Sequence, residues 1–198
     1  MPEILMAHSA PIRTASTIRS TVLQSSLASL RARGHFAAWS ALIDPVHRTA
    51  IVESLAPGWM PMEIALAHYE ACEAMRLPMS EQTALGEAVG DRIQGSFLAT
   101  LMRTARAAGY NPLVLLRQFD RLWARVFQGG SVQLTLTGPK DLDIELRGLP
   151  LCRIPYFRVG FCGVVRAGIA FSGVKTSIVR AQAYSPQSQA FVMHAAWV

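Results

Sequence analysis

The side chains able to do chemistry are few in this sequence, and their spacing does not gather them. Five histidines, His8, His35, His47, His68 and His194, stand far apart, with no i,i+4 pair and no neighbouring carboxylate cluster at ligand spacing. That dispersal argues against a metal centre. His68, on a helix over 64–75, is the histidine best placed as a buried ligand or acid–base group, although a histidine packed between helices explains it more simply. Three cysteines, Cys72, Cys152 and Cys162, are odd in number and lie 80 and 10 residues apart, matching neither a disulfide framework nor a CxxC metal pair. They read as buried free thiols. Asp141, Asp143 and Glu145 alternate along one strand and so face one side, as on the solvent face of an edge strand. Arg117, Arg121 and Arg125 recur every four residues and form a solvated helix face rather than a phosphate clamp. No GxSxG elbow, GxxxxGK[ST] loop or HExxH motif occurs. TGPK at Thr137–Lys140 lacks the glycine spacing of a phosphate loop, and Gly160-Phe-Cys-Gly falls inside a helix. With no nucleophile, base and orienting group assembled, no catalytic residue is assigned. An enzyme would need a solvent-connected cleft holding His68 or Cys162.

The elements that must position these residues come from an unusually apolar chain. Hydrophobic residues make up 51% of its 198 residues and charged residues 16%, which favours extensive burial, an apolar cavity or an oligomer interface, and excludes disorder. No apolar run reaches the roughly 18 residues of a membrane span. MPEILMAHSAPIRT has no cationic start followed by an apolar stretch, so no secretion signal is expected and a cytoplasmic location is. The net charge of +6 is uneven: residues 51–100 carry −5 and residues 101–198 carry +8. Only Lys140 and Lys175 are lysines, the arginines are scattered, and no nucleic-acid-binding signature accompanies them, so nucleic acid is not an expected partner.

Periodicity lays out the elements. The first dozen residues read as a loose tail. Val22, Leu23, Leu27 and Leu30 predict a helix over 17–33, stopped by Gly34. One or two short helices follow, broken at Asp44-Pro45 because the residue before proline resists the helical conformation, and APGWMP is a turn. MEIALAHYEACEAMRL is a helix with Ile64, Leu66, Ala67, Ala71 and Met75 inward and Glu63, Glu70 and Glu73 outward. From Ser80 one long helix or two follow, depending on Gly86, Gly90 and Gly95. A helix over 112–128 opens at Asn111-Pro112 and ends at Gly129-Gly130. Val132–Thr137 and Leu142–Arg147 alternate around Gly-Pro-Lys-Asp, a hairpin signal. A glycine-rich helix over 154–172 is followed by strands over 174–183 and 190–198, the last with Phe191, Met193, Ala195 and Trp197 on one face. Gly160, Gly163 and Gly168 predict a close neighbour along that helix.

These pieces carry two resemblances. STVLQSSLASLRARG, LAPGWMPMEIALAHYEA, LGEAVGDRIQGSFLATL, NPLVLLRQFDRLWARVFQGGSVQL and the GF–G–AG pattern of Tyr156–Gly168 resemble a bacterial family of roughly this length, abundant in myxobacteria, from which no activity carries over. More distantly, the helix–hairpin–helix–hairpin order of the last third resembles heme nitric oxide/oxygen-binding (H-NOX) sensor domains. The wider group with that fold includes vinyl-reductase-type small-molecule domains and a vesicle-tethering subunit with an acyl-chain tunnel. In the heme sensors the iron-ligating histidine follows an Asp-x-x pattern on the helix before the hairpin. Asp120-Arg-Leu-Trp123 is similar, with tryptophan in that place. Their propionate-gripping Tyr-x-Ser-x-Arg corresponds to Leu146-Arg-Gly-Leu-Pro150. An indole nitrogen is only a donor and offers a metal no lone pair. The resemblance therefore implies a sensor-like pocket without heme or metal.

The expected fold is α+β: a tail over 1–13, then one sensor-like domain over 14–198, helical over 14–128 and α/β over 129–198. The back part is a hairpin, a glycine-rich helix and a second hairpin forming a small antiparallel sheet. The expected function is a heme-free ligand-binding module, in signalling, that holds a small apolar molecule or acyl chain against Phe119, Trp123, Phe157, Phe161 and Trp197. The alternative is a non-enzymatic scaffold acting as a dimer or with a protein partner through the small-residue face Gly160, Gly163, Ala167 and Gly168. A cryptic enzyme is third.

Overall fold

Alternating apolar residues in the last third build the larger of two sheets. In the computed structural model, which describes residues 2–8, 11–55, 57–97 and 119–198, β1 (Glu3–Met6), β5 (Ser131–Gly138), β6 (Asp141–Arg147), β7 (Ser177–Ser185) and β8 (Ala190–Trp197) pair antiparallel in the order β1-β5-β6-β8-β7. The register sets Leu134 opposite Ile144, Ile144 opposite Met193, Leu142 opposite Ala195 and Leu146 opposite Phe191. All of these are fully buried, because a period-two pattern commits one whole face to the core.

Two expectations are corrected here. Glu3–Met6, expected within a loose tail, is instead an edge strand whose backbone pairs with Thr135 and its neighbours. The strand carrying Asp141, Asp143 and Glu145 lies at the centre of the sheet rather than at its edge. Its acids do face away from the core, where two histidines and an arginine lie beside them. His194 Nδ1 lies 2.8 Å from an Asp143 carboxylate oxygen and its Nε2 3.6 Å from Asp141. His8 lies 3.4 Å from Glu145, which also accepts from Arg147 Nε at 2.8 Å.

The front half is helical: α1 (Ser20–Ala32), α2 (Phe36–Leu42), α3 (Pro45–Val52), α4 (Met62–Ala74) and α5 (Met79–Phe97). The break before α3 is capped by Asp44, whose carboxylate accepts from the Val46 and His47 N–H groups. The residues expected to begin the first helix are β2 (Thr17–Arg19), the middle strand of a small sheet between β3 (Trp59–Pro61) and β4 (Phe127–Gln128). Two pairing partners outweigh local helix preference at β-branched Thr17 and Ile18. The expected turn at APGWMP therefore contributes a strand as well. On α4 the inward face is rotated from expectation: Met62, Ala65, His68, Tyr69 and Cys72 are buried with Ala71, while Ile64, Leu66, Ala67 and Met75 are half-buried. Aromatic, sulfur-containing and alanine side chains, rather than Ile64 and Leu66, are the buried ones.

After α6 (Phe119–Val126) and β4, Gly129 and Gly130 turn the chain at φ of +97° and +64°. A Cβ at Gly129 would lie 2.6 Å from Thr14 O, so glycine is needed there for both backbone angle and space. The expected helix segment 112–118, including Leu115, Leu116 and Arg117, lies outside the described residues. A 3₁₀ turn (Pro150–Arg153) leads into α7 (Pro155–Phe171). Glu73, expected outward on α4, reaches across to accept the Tyr156 N–H at 2.6 Å, occupying the N-terminus of α7 where a carboxylate also suits the helix dipole.

Candidate ligand cavity

Small residues on two helices decide where the cavity lies. Gly86 and Gly90 do not interrupt α5, which runs unbroken from Met79 to Phe97. They face Gly160, Gly163, Val164 and Ala167 of α7 so closely that an added Cβ at Gly86 would collide with the Gly160 carbonyl, and one at Gly163 with Thr83 O. This is the close neighbour the glycine-rich helix predicted. Much of the small-residue surface that suggested a dimer contact is therefore occupied within the chain.

Beside that contact, larger side chains hold the helices apart and leave a cavity of about 180 Å³. Its walls come from α1 through Val22 and Ser26, α4 through Tyr69, α5 through Leu85, Val89 and Ile93, and α6, β4 and α7. Four of the five expected pocket residues, Phe119, Trp123, Phe157 and Phe161, line it. Trp123 is 8% exposed, its ring centroid lies 4.5 Å from that of Phe127, and its indole N–H donates to Gly129 O at 3.1 Å. Phe157 stacks on Phe161 at 5.5 Å and meets Tyr69 edge-on at 5.1 Å. Trp197 is not among the lining residues. It is buried at the end of β8, where its backbone N–H donates to Lys140 O beside the β5–β6 turn. The strand periodicity placed Trp197 on the core face but not at this end of the core.

Sequence reasoning missed the walls from α1, α4 and α5. A usable signal existed in Gly86 and Gly90, four apart and thus on one helix face, matching the small residues of α7. The rotated face of α4 hid Tyr69.

His68 lies outside the cavity lining. It is fully buried, its ring lies 5.5 Å from that of Trp39 and 4.8 Å from that of Tyr69, and its Nε2 is 2.9 Å from Ser26 Oγ and 3.8 Å from Cys72 Sγ. Burial away from water disfavours the imidazolium and pushes its pKa down to about 3. Cys162 is likewise absent from the lining, and burial pushes its thiol up to about 11. Among the described residues, neither His68 nor Cys162 faces this cavity. Nor do three His, Cys, Asp or Glu side chains converge there to hold a metal ion. No described helix is long and apolar enough to cross a membrane.

No family model and no curated protein matches the sequence. Solved structures do. A point mutant of the Fe(II) unliganded H-NOX protein from K. algicida superposes with a TM-score of 0.65 at 8% identity, covering 91% of this chain and 97% of that one. A Cs H-NOX variant carrying 4-cyano-L-phenylalanine gives 0.61 at 9% identity, with 91% and 96% covered. A structure concerned with heme distortion in the H-NOX family gives 0.60 at 9% identity, over 90% and 94%. The helical front half, the five-stranded antiparallel sheet and the glycine-rich helix thus together form an H-NOX-like α+β fold.

Proposed function

We propose that this protein is a ligand-binding sensor module that holds a small apolar molecule, or the end of an acyl chain, in the α1–α4–α5–α6–α7 cavity. The observation that carries the reading is the cavity itself: about 180 Å³ lined mainly by Val, Leu, Ile, Phe and Gly, with Trp123, Tyr69, Tyr156, Ser26, Ser172 and Arg125 making up the rest. A dry apolar cavity of about 150 Å³ binds benzene, so this one suits a molecule of similar or slightly larger size.

Heme, which the solved H-NOX structures bring to mind, does not fit these residues. The described lining holds no histidine, cysteine or methionine. Trp123 presents an N–H already donated to Gly129 O. Tyr69 and Tyr156 do line the cavity, but burial pushes both phenols above their ordinary range, which disfavours a charged phenolate there. The cavity also falls below the roughly 300 Å³ at which drug-sized ligands begin to fit. A small neutral molecule satisfies the site better than a charged macrocycle.

The test is native mass spectrometry of the purified protein beside its denatured mass and a visible spectrum. A co-purifying small apolar mass without a Soret band supports the proposal. A Soret band overturns it. A cavity-filling variant gives an independent check: Val165→Phe is expected to weaken small apolar ligands at least tenfold while stabilising the free protein by about 1 kcal/mol. Unchanged affinity in a folded Val165→Phe protein would place the ligand elsewhere.

A further inference from the structure

Resting on the reading of the cavity as a ligand site, we infer that Ser26 is its polar anchor, so that the bound molecule presents a hydrogen-bond-accepting oxygen (carbonyl, ether or hydroxyl) to α1. Ser26 lines the cavity and is 5% exposed. Serines inside helices commonly return their hydroxyl to a carbonyl one turn back, as Ser29 does to Ser25 O at 2.9 Å. Ser26 does not. Its hydroxyl instead meets His68 Nε2 at 2.9 Å.

Which way that hydrogen bond runs follows from two buried nitrogens with no partner, His68 Nδ1 and Trp39 Nε1. They belong to rings whose centroids lie 5.5 Å apart. A neutral imidazole carries one N–H. Placed on Nδ1, that hydrogen would add a second unpaired donor to the unpaired indole N–H in one buried cluster. Placed on Nε2, it leaves Nδ1 as a lone pair beside the indole donor, and an unpaired buried donor is the rarer and costlier arrangement. The imidazole therefore donates from Nε2 to Ser26 Oγ, with Cys72 Sγ at 3.8 Å as a weaker acceptor. The serine oxygen is then the acceptor, and its own O–H is left to donate into the cavity that Ser26 lines. The other lining hydroxyl on a serine, Ser172, donates to Ile169 O at 2.6 Å within the last turn of α7. An apolar ligand with no oxygen would leave the Ser26 donor unsatisfied, which selects against pure hydrocarbons.

The experiment is an NMR titration of the full chain with acetophenone and with α-methylstyrene, which has the same shape with a methylene in place of the carbonyl oxygen. Ser26→Ala is expected to weaken acetophenone about tenfold, the worth of one buried hydrogen bond, and to leave α-methylstyrene unchanged. Ser26→Thr, which keeps the hydroxyl, is expected to restore acetophenone binding. Should the alanine variant fail to fold, Ser26→Cys keeps the volume with a far weaker donor and is expected to lose acetophenone selectively. Equal weakening of both probes, or of neither, overturns the anchor while leaving the cavity as a ligand site. Failure of both probes to bind the wild-type protein overturns the cavity reading and the anchor with it.

Discussion

Gly86→Ala is expected to lower the unfolding midpoint by about 10 °C, whereas Gly160→Ala leaves it unchanged or raises it slightly. The two glycines face each other across the α5–α7 contact, so the asymmetry is informative. A Cβ on Gly86 points into the Gly160 carbonyl, and backbone cannot swing aside as a flexible side chain can. The helices must separate, at about 3 kcal/mol or more in lost packing. Against a total stability on the order of 5–15 kcal/mol, that is a large fraction. A Cβ on Gly160 meets only Gln82 O at 3.8 Å, an ordinary contact, while alanine gains up to about 1 kcal/mol in helix preference. Thermal unfolding of both variants reads the result directly. Similar midpoints would mean that α5 and α7 do not approach along these positions.

Acidification is expected to unfold the protein largely through one histidine. The unfolded chain protonates His68 below its ordinary pKa of 6.5, while burial keeps the folded imidazole neutral down to about 3. Between those values the unfolded state binds one more proton, so stability is complete above pH 6.5 and declines as pH falls toward 3. The slope is about 1.4 kcal/mol per pH unit from this group alone. Urea denaturation of wild type and His68→Phe from pH 7 to pH 4 isolates it, since the surface carboxylates contribute equally to both. The wild-type stability should drop away from the variant by that slope as pH falls. Parallel curves would place water at the imidazole.

How much of this was legible in the sequence depended on whether local pattern or distant partners decided each element. The β5–β6 hairpin follows from alternation around Gly-Pro-Lys-Asp, because a strand with one buried face writes its period into the chain. The α2–α3 break follows from Asp44-Pro45, which is local chemistry. β1 and β2 were hidden because three- and four-residue strands carry little pattern and are made by partners distant in sequence, β5 for β1 and both β3 and β4 for β2. The rotated face of α4 was hidden for a related reason. A helix covered on several sides has no single apolar stripe, and ranking its residues by aliphatic content selects the wrong one. At the cavity, size and apolarity picked out Phe119, Trp123, Phe157 and Phe161 on the two helices with clear faces. The same criterion included Trp197, since periodicity says which side of a strand is buried and nothing about how far along the core a residue sits. Ser26 gave no signal at all: a small polar residue among SSLASL gains its meaning only from His68, 42 residues away.

The little three-stranded sheet has a consequence for how an occupied cavity differs from an empty one. β2 runs directly into α1, β3 directly into α4, and α6 directly into β4. Those three helices carry Ser26, Tyr69 and Trp123, so three of the cavity's walls stand on one footing. Ile18 pairs with Met60 on one side and Phe127 on the other. A molecule that pushes Trp123 outward therefore pulls on hydrogen bonds that also fix the roots of α1 and α4. Under the proposed reading, the eight backbone positions spanning Thr17, Pro61 and Gln128 would couple a displacement of any one of these walls to the other two.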